Sequence, residues 1–208
     1  GKRILLDCGP DFRWQMITSR TYHLDAVLIS HEHYDHVGGL DDLRPFCREK
    51  GVDIYAEDSV AGAIETRIPY VFRKHKYPGV PNLEMHRIGT APFVAAGLTI
   101  VPIRVMHGNL PILGYRIGNM AYLTDLKSLP EEEYAKLEGL DVLIIAALRR
   151  GEHPTHESLE QALANVERIR PKEAYLIHMS HRIGLHAEIE KELPPHVHFA
   201  YDGLSVFS

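Results

Sequence analysis

The hydrophobic positions of this chain recur at two periods, and their interleaving predicts strands and helices that alternate from one end to the other. Residues 2–7 (KRILLD) form a short apolar run that stops at Cys8-Gly9-Pro10, a strand followed by a turn. Residues 11–20 read as a short helix, and 25–30 (DAVLIS) as a buried-type strand. A histidine-rich turn at 31–36 leads to a helix over 38–50, a strand over 52–56 and a helix over 59–66. Residues 67–82 are irregular, with Pro69, Pro78 and Pro81 set among Arg67, Arg73, Lys74, His75 and Lys76. Strands follow at 83–88, 98–106, 112–117 and 120–124. The last two flank Gly118-Asn119, a two-residue hairpin turn of the kind that needs positive φ. A helix over 130–137 has Pro130 near its first turn, with Glu131, Glu132 and Glu133 complementing the helix dipole. The remainder alternates again: strand 141–147, helix 157–169, strand 174–178, helix 185–192, and strands near 197–200 and 204–207.

Hairpins combined with alternating strands and helices predict a mixed α/β fold of more than one layer. The 208 residues show no internal repeat and no low-complexity linker. At ~150 residues per domain, a single domain over 1–208 is expected. A chain seldom begins in mid-strand and Gly1 is not an initiator Met, so a further N-terminal segment is expected to precede residue 1. Hydrophobic content of 45% and charged content of 25% are those of a soluble globular protein, not a disordered or collagen-like one. No apolar run approaches the ~20 residues of a membrane span, and no signal-peptide pattern opens the sequence. A net charge of -5 exerts no global pull on nucleic acid. The two cysteines, Cys8 and Cys47, are too few for a disulfide framework, which points to a reducing cytoplasm. Cys8 reads as a small buried residue.

The unusual component is histidine, with 14 residues against 6 Phe and 5 Met, and histidine is the commonest metal ligand. In His31-Glu32-His33-Tyr34-Asp35-His36, directly after the apolar strand, four ligand-type side chains occupy six residues. Two histidines two residues apart point the same way along an extended chain. A solvated polar loop is the plainer account, but loops fixed to rigid strands are where functional side chains concentrate. Three further ligand-type residues stand just past apolar strands: His107 after 99–106, Asp125 after 120–124 and His178 after 174–177. Strand ends of this kind would bring them together above a sheet.

On these residues the sequence resembles the metallo-β-lactamase-fold hydrolases. His31, His33, Asp35 and His36 match that family's HxHxDH motif, and His107, Asp125 and His178 match its later His, Asp and His motifs, over essentially the whole chain. The resemblance implies an αββα sandwich, with additional strands ahead of the one at 2–7. It also implies two divalent metal ions per chain, His31, His33 and His107 on one, Asp35, His36 and His178 on the other, and Asp125 bridging. Mixed N and O donors suit Zn, and Mn or Fe are admissible. Lactam-cleaving members generally lack the bridging aspartate, whereas metallophosphodiesterases and thioester hydrolases have it.

Within His153-Pro154-Thr155-His156-Glu157-Ser158, His156 looks like the histidine that assists leaving-group departure in the phosphodiesterase branch and in the tRNA-maturation ribonucleases. A helix cap near Thr155 with incidental histidines is the structural alternative. His178-Met179-Ser180-His181 resembles the corresponding segment of the phosphoribosyl cyclic phosphodiesterases, which implies a structural zinc at His181 shared with N-terminal cysteines. His156 and Asp35 are thus the candidate catalytic residues, His156 as an imidazolium protonating the leaving oxygen. Arg149 and Arg150 either grip a phosphate bidentately or form a solvated pair. The basic stretch 67–76 is a substrate lid or, by a small margin, a solvated loop. Residues 7–11 resemble slightly the pyrroloquinoline-quinone biosynthesis branch.

The expected function is a phosphodiesterase acting on a small, perhaps cyclic, phosphorylated substrate. A thioester hydrolase of the hydroxyacylglutathione type, a pyrroloquinoline-quinone-biosynthesis-like member and a non-hydrolytic metal protein are the alternatives. A nuclease and a membrane partner are disfavoured, and a homodimer is left open.

Overall fold

The computed structural model describes residues 1–47 and 50–207. The chain forms two compact units, Gly1–Leu98 and Thr99–Ser208.

In the first unit the strands β1 (Ile4–Leu6), β2 (Ala26–Leu28), β3 (Val52–Glu57) and β4 (Leu83–Ile88) lie in that order in one sheet, and every neighbouring pair is parallel. All three β2 residues are buried, as a strand covered on both faces requires. Helices α1 (Phe12–Thr18), α2 (Tyr34–Val37), α3 (Asp58–Arg67) and α4 (Pro69–Phe72) fall between and after these strands. Phe12, Val37, Val60 and Ile64 from the helices pack with Val27, Ile29 and Ile54 into the unit's core. Because β1 and β2 run parallel, their carboxyl ends emerge at the same edge. Leu6 pairs with Leu28, so Asp7 stands beside the entry to the histidine motif. A short strand β5 (Phe93–Ala95) ends the unit.

The second unit's strands are β6 (Leu98–His107), β7 (Leu110–Ile117), β8 (Met120–Leu123), β9 (Val142–Ala146), β10 (Glu173–Ile177) and β11 (Val197–Phe199). They lie in the order β11-β10-β9-β8-β7-β6. β6–β7 and β7–β8 are antiparallel, and β8–β9, β9–β10 and β10–β11 are parallel. Two reversals restore direction, so β6, β8, β9 and β10 all deliver their carboxyl ends to one edge. Those ends carry His107, Asp125, the segment leading to His156, and His178. Helix α5 (Leu159–Ile169) is capped by Ser158 and Gln161 in a reciprocal capping box. It buries Leu159, Ala162, Val166 and Ile169 against the sheet residues Leu143, Ile145 and Leu176. Helix α6 (His186–Ile189) follows near the C-terminus.

Several predicted elements take a different form. Residues 34–47 form α2 and then a 3-10 helix, Leu40–Cys47, because Pro45 lies inside it and lacks the N–H that a continuous α-helix needs. The end of the predicted 38–50 helix, residues 48 and 49, lies outside the described residues. Glu131–Leu137 is also a 3-10 helix, with Glu133 turned inward to accept from the Arg104 backbone N–H at 2.9 Å. The predicted 185–192 helix divides into α6 and the 3-10 turn Glu190–Glu192. α4 forms within the stretch expected to be irregular, with Pro69 at its first position. Residues 204–207 follow the turn at Gly203 (φ 90°) and are not a strand. The helix cap expected near Thr155 is Ser158. Among the described residues, no helix is long and apolar enough to cross a membrane.

The histidine motif docks on the β1 exit through two glycines. The Cys8 N–H donates to the His36 carbonyl at 2.7 Å, and the Gly39 N–H to the Cys8 carbonyl at 2.9 Å. A Cβ on Gly9 would lie 2.4 Å from the Asp35 carbonyl oxygen, and one on Gly39 2.2 Å from that of Gly9. Gly39→Ala should therefore destabilise the protein by about 1–3 kcal/mol, the usual cost of overpacking. Gly62→Ala, on α3 where a Cβ meets nothing within 4 Å, should stabilise by about 0.5–1 kcal/mol. Urea denaturation of both variants checks the contrast, and a neutral Gly39→Ala would contradict it.

Candidate metal centre

In the first unit, a buried carboxylate organises the motif. Asp7 takes φ 59°, a left-handed conformation that costs a non-glycine residue about 1–2 kcal/mol. That turn directs its side chain to the start of the motif. Asp7 Oδ1 accepts from the Ser30 N–H at 2.8 Å, and the Ser30 hydroxyl lies 2.9 Å from both Asp7 oxygens. His36 Nδ1 donates to Asp7 Oδ2 at 2.8 Å. With its proton given to Asp7, the Ser30 oxygen accepts from His31 Nδ1 at 3.0 Å. Both imidazoles are thereby held in the tautomer that presents an Nε2 lone pair, the way outer partners orient metal-binding histidines. Behind the motif, Arg67 Nη1 donates to the Glu32 carbonyl at 3.0 Å. His31 and His36 are buried, while His33 and Asp35 are exposed.

In the second unit, His107 Nδ1 donates to the Thr155 carbonyl at 2.9 Å, again leaving Nε2 as the lone-pair nitrogen. Asp125 (φ 51°) and His178 (φ 57°) are left-handed like Asp7. Backbone strain of this kind persists where surrounding structure over-determines it and clusters at functional sites. Thr124 Oγ1 donates to Asp125 Oδ1 at 2.7 Å. His156 is surrounded by the others, its ring 4.5 Å from that of His107 and stacked on His178 at 5.2 Å with an interplanar angle of 21°. Its Nδ1 is buried without a hydrogen-bond partner, 3.9 Å from Asp125 Oδ2. Burial, reinforced by His107, His178 and His153 and opposed by Asp125, pushes the His156 pKa down to about 4.

The donor spacings fit divalent ions. Metal–nitrogen and metal–oxygen bonds of ~2.0–2.1 Å at tetrahedral angles separate neighbouring donors by about 3.3–3.4 Å. His31 Nε2 and His33 Nδ1 lie 2.9 Å apart, Asp35 Oδ2 and His36 Nε2 3.3 Å, and Asp125 Oδ1 and His178 Nε2 3.1 Å. Three ligand pairs thus stand close to coordination spacing, two in the first unit and one in the second.

The remaining candidates have other settings. Arg149 Nη2 donates to the Glu152 carbonyl at 2.6 Å, and Arg150 pairs with Glu192. His181 is exposed at the start of the 3-10 turn His181–Ile183 and belongs to no group of three ligand-type side chains among the described residues. Cys8 is buried, and burial beside Asp7 and Asp42 raises its thiol pKa far above the ordinary range, so it is no nucleophile. Sequence reasoning missed Asp7, Ser30 and Glu157. For Asp7 a signal existed: a carboxylate at the carboxyl end of an apolar strand, in the position that singled out Asp125.

A family model, the Beta-lactamase superfamily domain, matches residues 2–179. An octanoyltransferase of Porphyromonas gingivalis is 51% identical over 206 residues, 98% of this chain and 42% of that protein. A ribonuclease Z of Thermosynechococcus vestitus is 27% identical over 119 residues, 54% of this chain and 28% of that protein. The chain thus spans less than half the length of these relatives. Among solved structures, a diphosphatase from the PhnP family superposes with a TM-score of 0.91 at 34% identity, covering 100% of this chain and 81% of that one. The expected metallo-β-lactamase fold is therefore the fold observed.

Two outcomes follow from the site. Asp7→Asn keeps a residue that tolerates the left-handed turn but sets an amide against Ser30 and His36. Metal affinity, read by competition with a chromophoric chelator, should fall about 10–100-fold although no ligand is removed; unchanged affinity would refute the orienting role. Burial raises the Glu157 pKa to about 7, from an unfolded value near 4.5. The native state then holds a proton that the unfolded chain releases. Its stabilisation is complete below about pH 4.5, declines as pH rises and is lost by about pH 7, at about 3 kcal/mol in all. Denaturant titrations at pH 4.5 and 8 should show this loss in the wild type and its absence in Glu157→Gln.

Proposed function

On the premise that this chain belongs to the beta-lactamase superfamily, we propose that it hydrolyses a small phosphodiester, cyclic ones included, with two divalent metal ions. The observation that carries the reading is His156, an imidazole that belongs to none of the three close donor pairs yet stacks on His178 and adjoins His107. Such a group is placed for proton transfer, not for ligation.

In this reading His31, His33 and His107 would hold one ion and Asp35, His36 and His178 the other, with Asp125 common to both. Divalent ions held by these residues would supply a water of lowered pKa and neutralise charge developing at phosphorus. The protein's own residues do the rest. Asp7 and Thr155 hold the imidazoles in the ligating tautomer. His156 takes a proton from solvent when an anionic phosphate beside it favours the imidazolium, and passes that proton to the departing oxygen. Zn is our first choice of metal, with Mn or Fe also suited. Arg149 and Arg150 as a phosphate clamp, and His181 in a separate structural zinc site, stay subsidiary proposals.

The diphosphatase likeness supports cleavage at phosphorus. The P. gingivalis relative carries the name of an acyl transferase, but 42% of its length aligns here. We assign the octanoyl transfer to the rest of that protein, since acyl transfer calls for an activated nucleophile and Cys8 is buried with a raised pKa. Thioester hydrolysis at the same centre is the alternative reading.

A chromogenic aryl phosphodiester should be turned over in a chelator-sensitive way, with phosphomonoesters and β-lactams poor. His156→Ala should keep its metal and lose on the order of 10²–10⁴ in rate on an alkyl diester. The aryl diester, whose leaving group is stable as an anion, should be spared. Cleavage of thioesters without any phosphodiester turnover would establish the alternative, and equal defects on both diesters would remove His156 as the acid.

A further inference from the structure

We propose that Glu157 is a positioning residue for His156, locked by a buried polar chain through Asn165 to Tyr134; the proposal rests on the proton-transfer role given to His156 above. The need for such a device lies in His156 itself. Its Nδ1 makes no hydrogen bond, so the ring's direction depends on how its backbone is held. Both neighbours are tied down. The Thr155 carbonyl accepts from His107 at 2.9 Å. The Glu157 N–H donates to the Leu126 carbonyl, next to Asp125, at 2.8 Å, and the Glu157 carbonyl accepts from the Leu148 N–H at 3.1 Å.

The Glu157 side chain adds a fourth hold. Oε1 accepts from Asn165 Nδ2 at 2.7 Å, and Asn165 Oδ1 accepts from the Tyr134 hydroxyl at 2.6 Å. Tyr134 lies under the Arg168 guanidinium, 3.4 Å from its ring centroid, and Arg168 pairs with Glu131. Asn165 occupies the buried face of α5 among Ala162, Val166 and Ile169, where the helix pattern calls for an apolar residue. Glu157 is 3% exposed and its Oε2 has no hydrogen-bond partner. A well-packed apolar pair of the same volume is commonly as stable as a buried polar pair. What the polar pair adds is direction, since hydrogen bonds fix an orientation that dispersion contacts do not.

The test combines substrate selectivity with a mutant cycle. Glu157→Met keeps the volume but removes the acceptor. It should lower kcat on an alkyl phosphodiester on the order of 10–100-fold, the cost of a misplaced group, with aryl turnover and metal content little changed. Glu157→Gln, which still accepts from Asn165, should restore the rate. In a His156→Ala background, Glu157→Met should have no further effect. Equal defects on both substrates, or an additive effect in that background, overturn the proposal. If Glu157→Met does not fold, Tyr134→Phe, lacking only the hydroxyl, should show the same selective defect at smaller size, and an unselective one counts against us. Should the wild type turn over no phosphodiester, the functional reading fails. Positioning is then read by NMR of the metal-free protein: one sharp set of His156 ring signals in wild type and Glu157→Gln, several or broadened sets in Glu157→Met. Unchanged signals in that variant overturn it.

Discussion

The first unit's half of the centre depends on one buried carboxylate. Asp7 engages the Ser30 N–H, the Ser30 hydroxyl and His36 Nδ1 at once, and through Ser30 it reaches His31. One side chain thus sets the tautomer of two motif histidines. The arrangement requires parallel β1 and β2, so that their carboxyl ends meet at one edge, and glycine at 9 and 39, so that the β1 exit can lie against the motif helix. A buried carboxylate stripped of these partners would be an uncompensated charge, which is far more costly than the strained backbone it occupies.

The second unit solves the same problem with different parts. Here a backbone carbonyl, that of Thr155, orients His107, and a threonine hydroxyl supports Asp125. Again left-handed residues sit at the strand ends, at 125 and 178. Three such residues together cost several kcal/mol, of order 1–2 each, which the apolar clusters beneath the two sheets must offset. The rigidity that results is what donors held close to coordination spacing require, since a site built on strand ends keeps its geometry better than one built on free loops.

The dense His31–His36 motif and the isolated ligands His107, Asp125 and His178 were legible because each follows an apolar run, a pattern local in sequence. The orienting role of Asp7, which ends an apolar run as Asp125 does, and the role of Glu157 were not. Their partners lie 23 and 29 residues away for Asp7, and eight residues along α5 for Glu157, and no local pattern encodes such pairings. Glu157 also looked like an ordinary first-turn glutamate of a helix that in fact begins at Leu159. The strands were read within a residue or two at most positions because apolar runs end where turns begin. The short helices were read less well, since Pro45 and an inward Glu133 favour 3-10 geometry that apolar periodicity does not distinguish from α.

The metal-binding reading comes down to two divalent ions per chain. Elemental analysis of chelator-free protein after dialysis against a zinc buffer tests it most directly. The account predicts close to two divalent ions per chain, falling to about one in His178→Ala. A wild-type value that saturates at one ion per chain, whatever the zinc supplied, would contradict it.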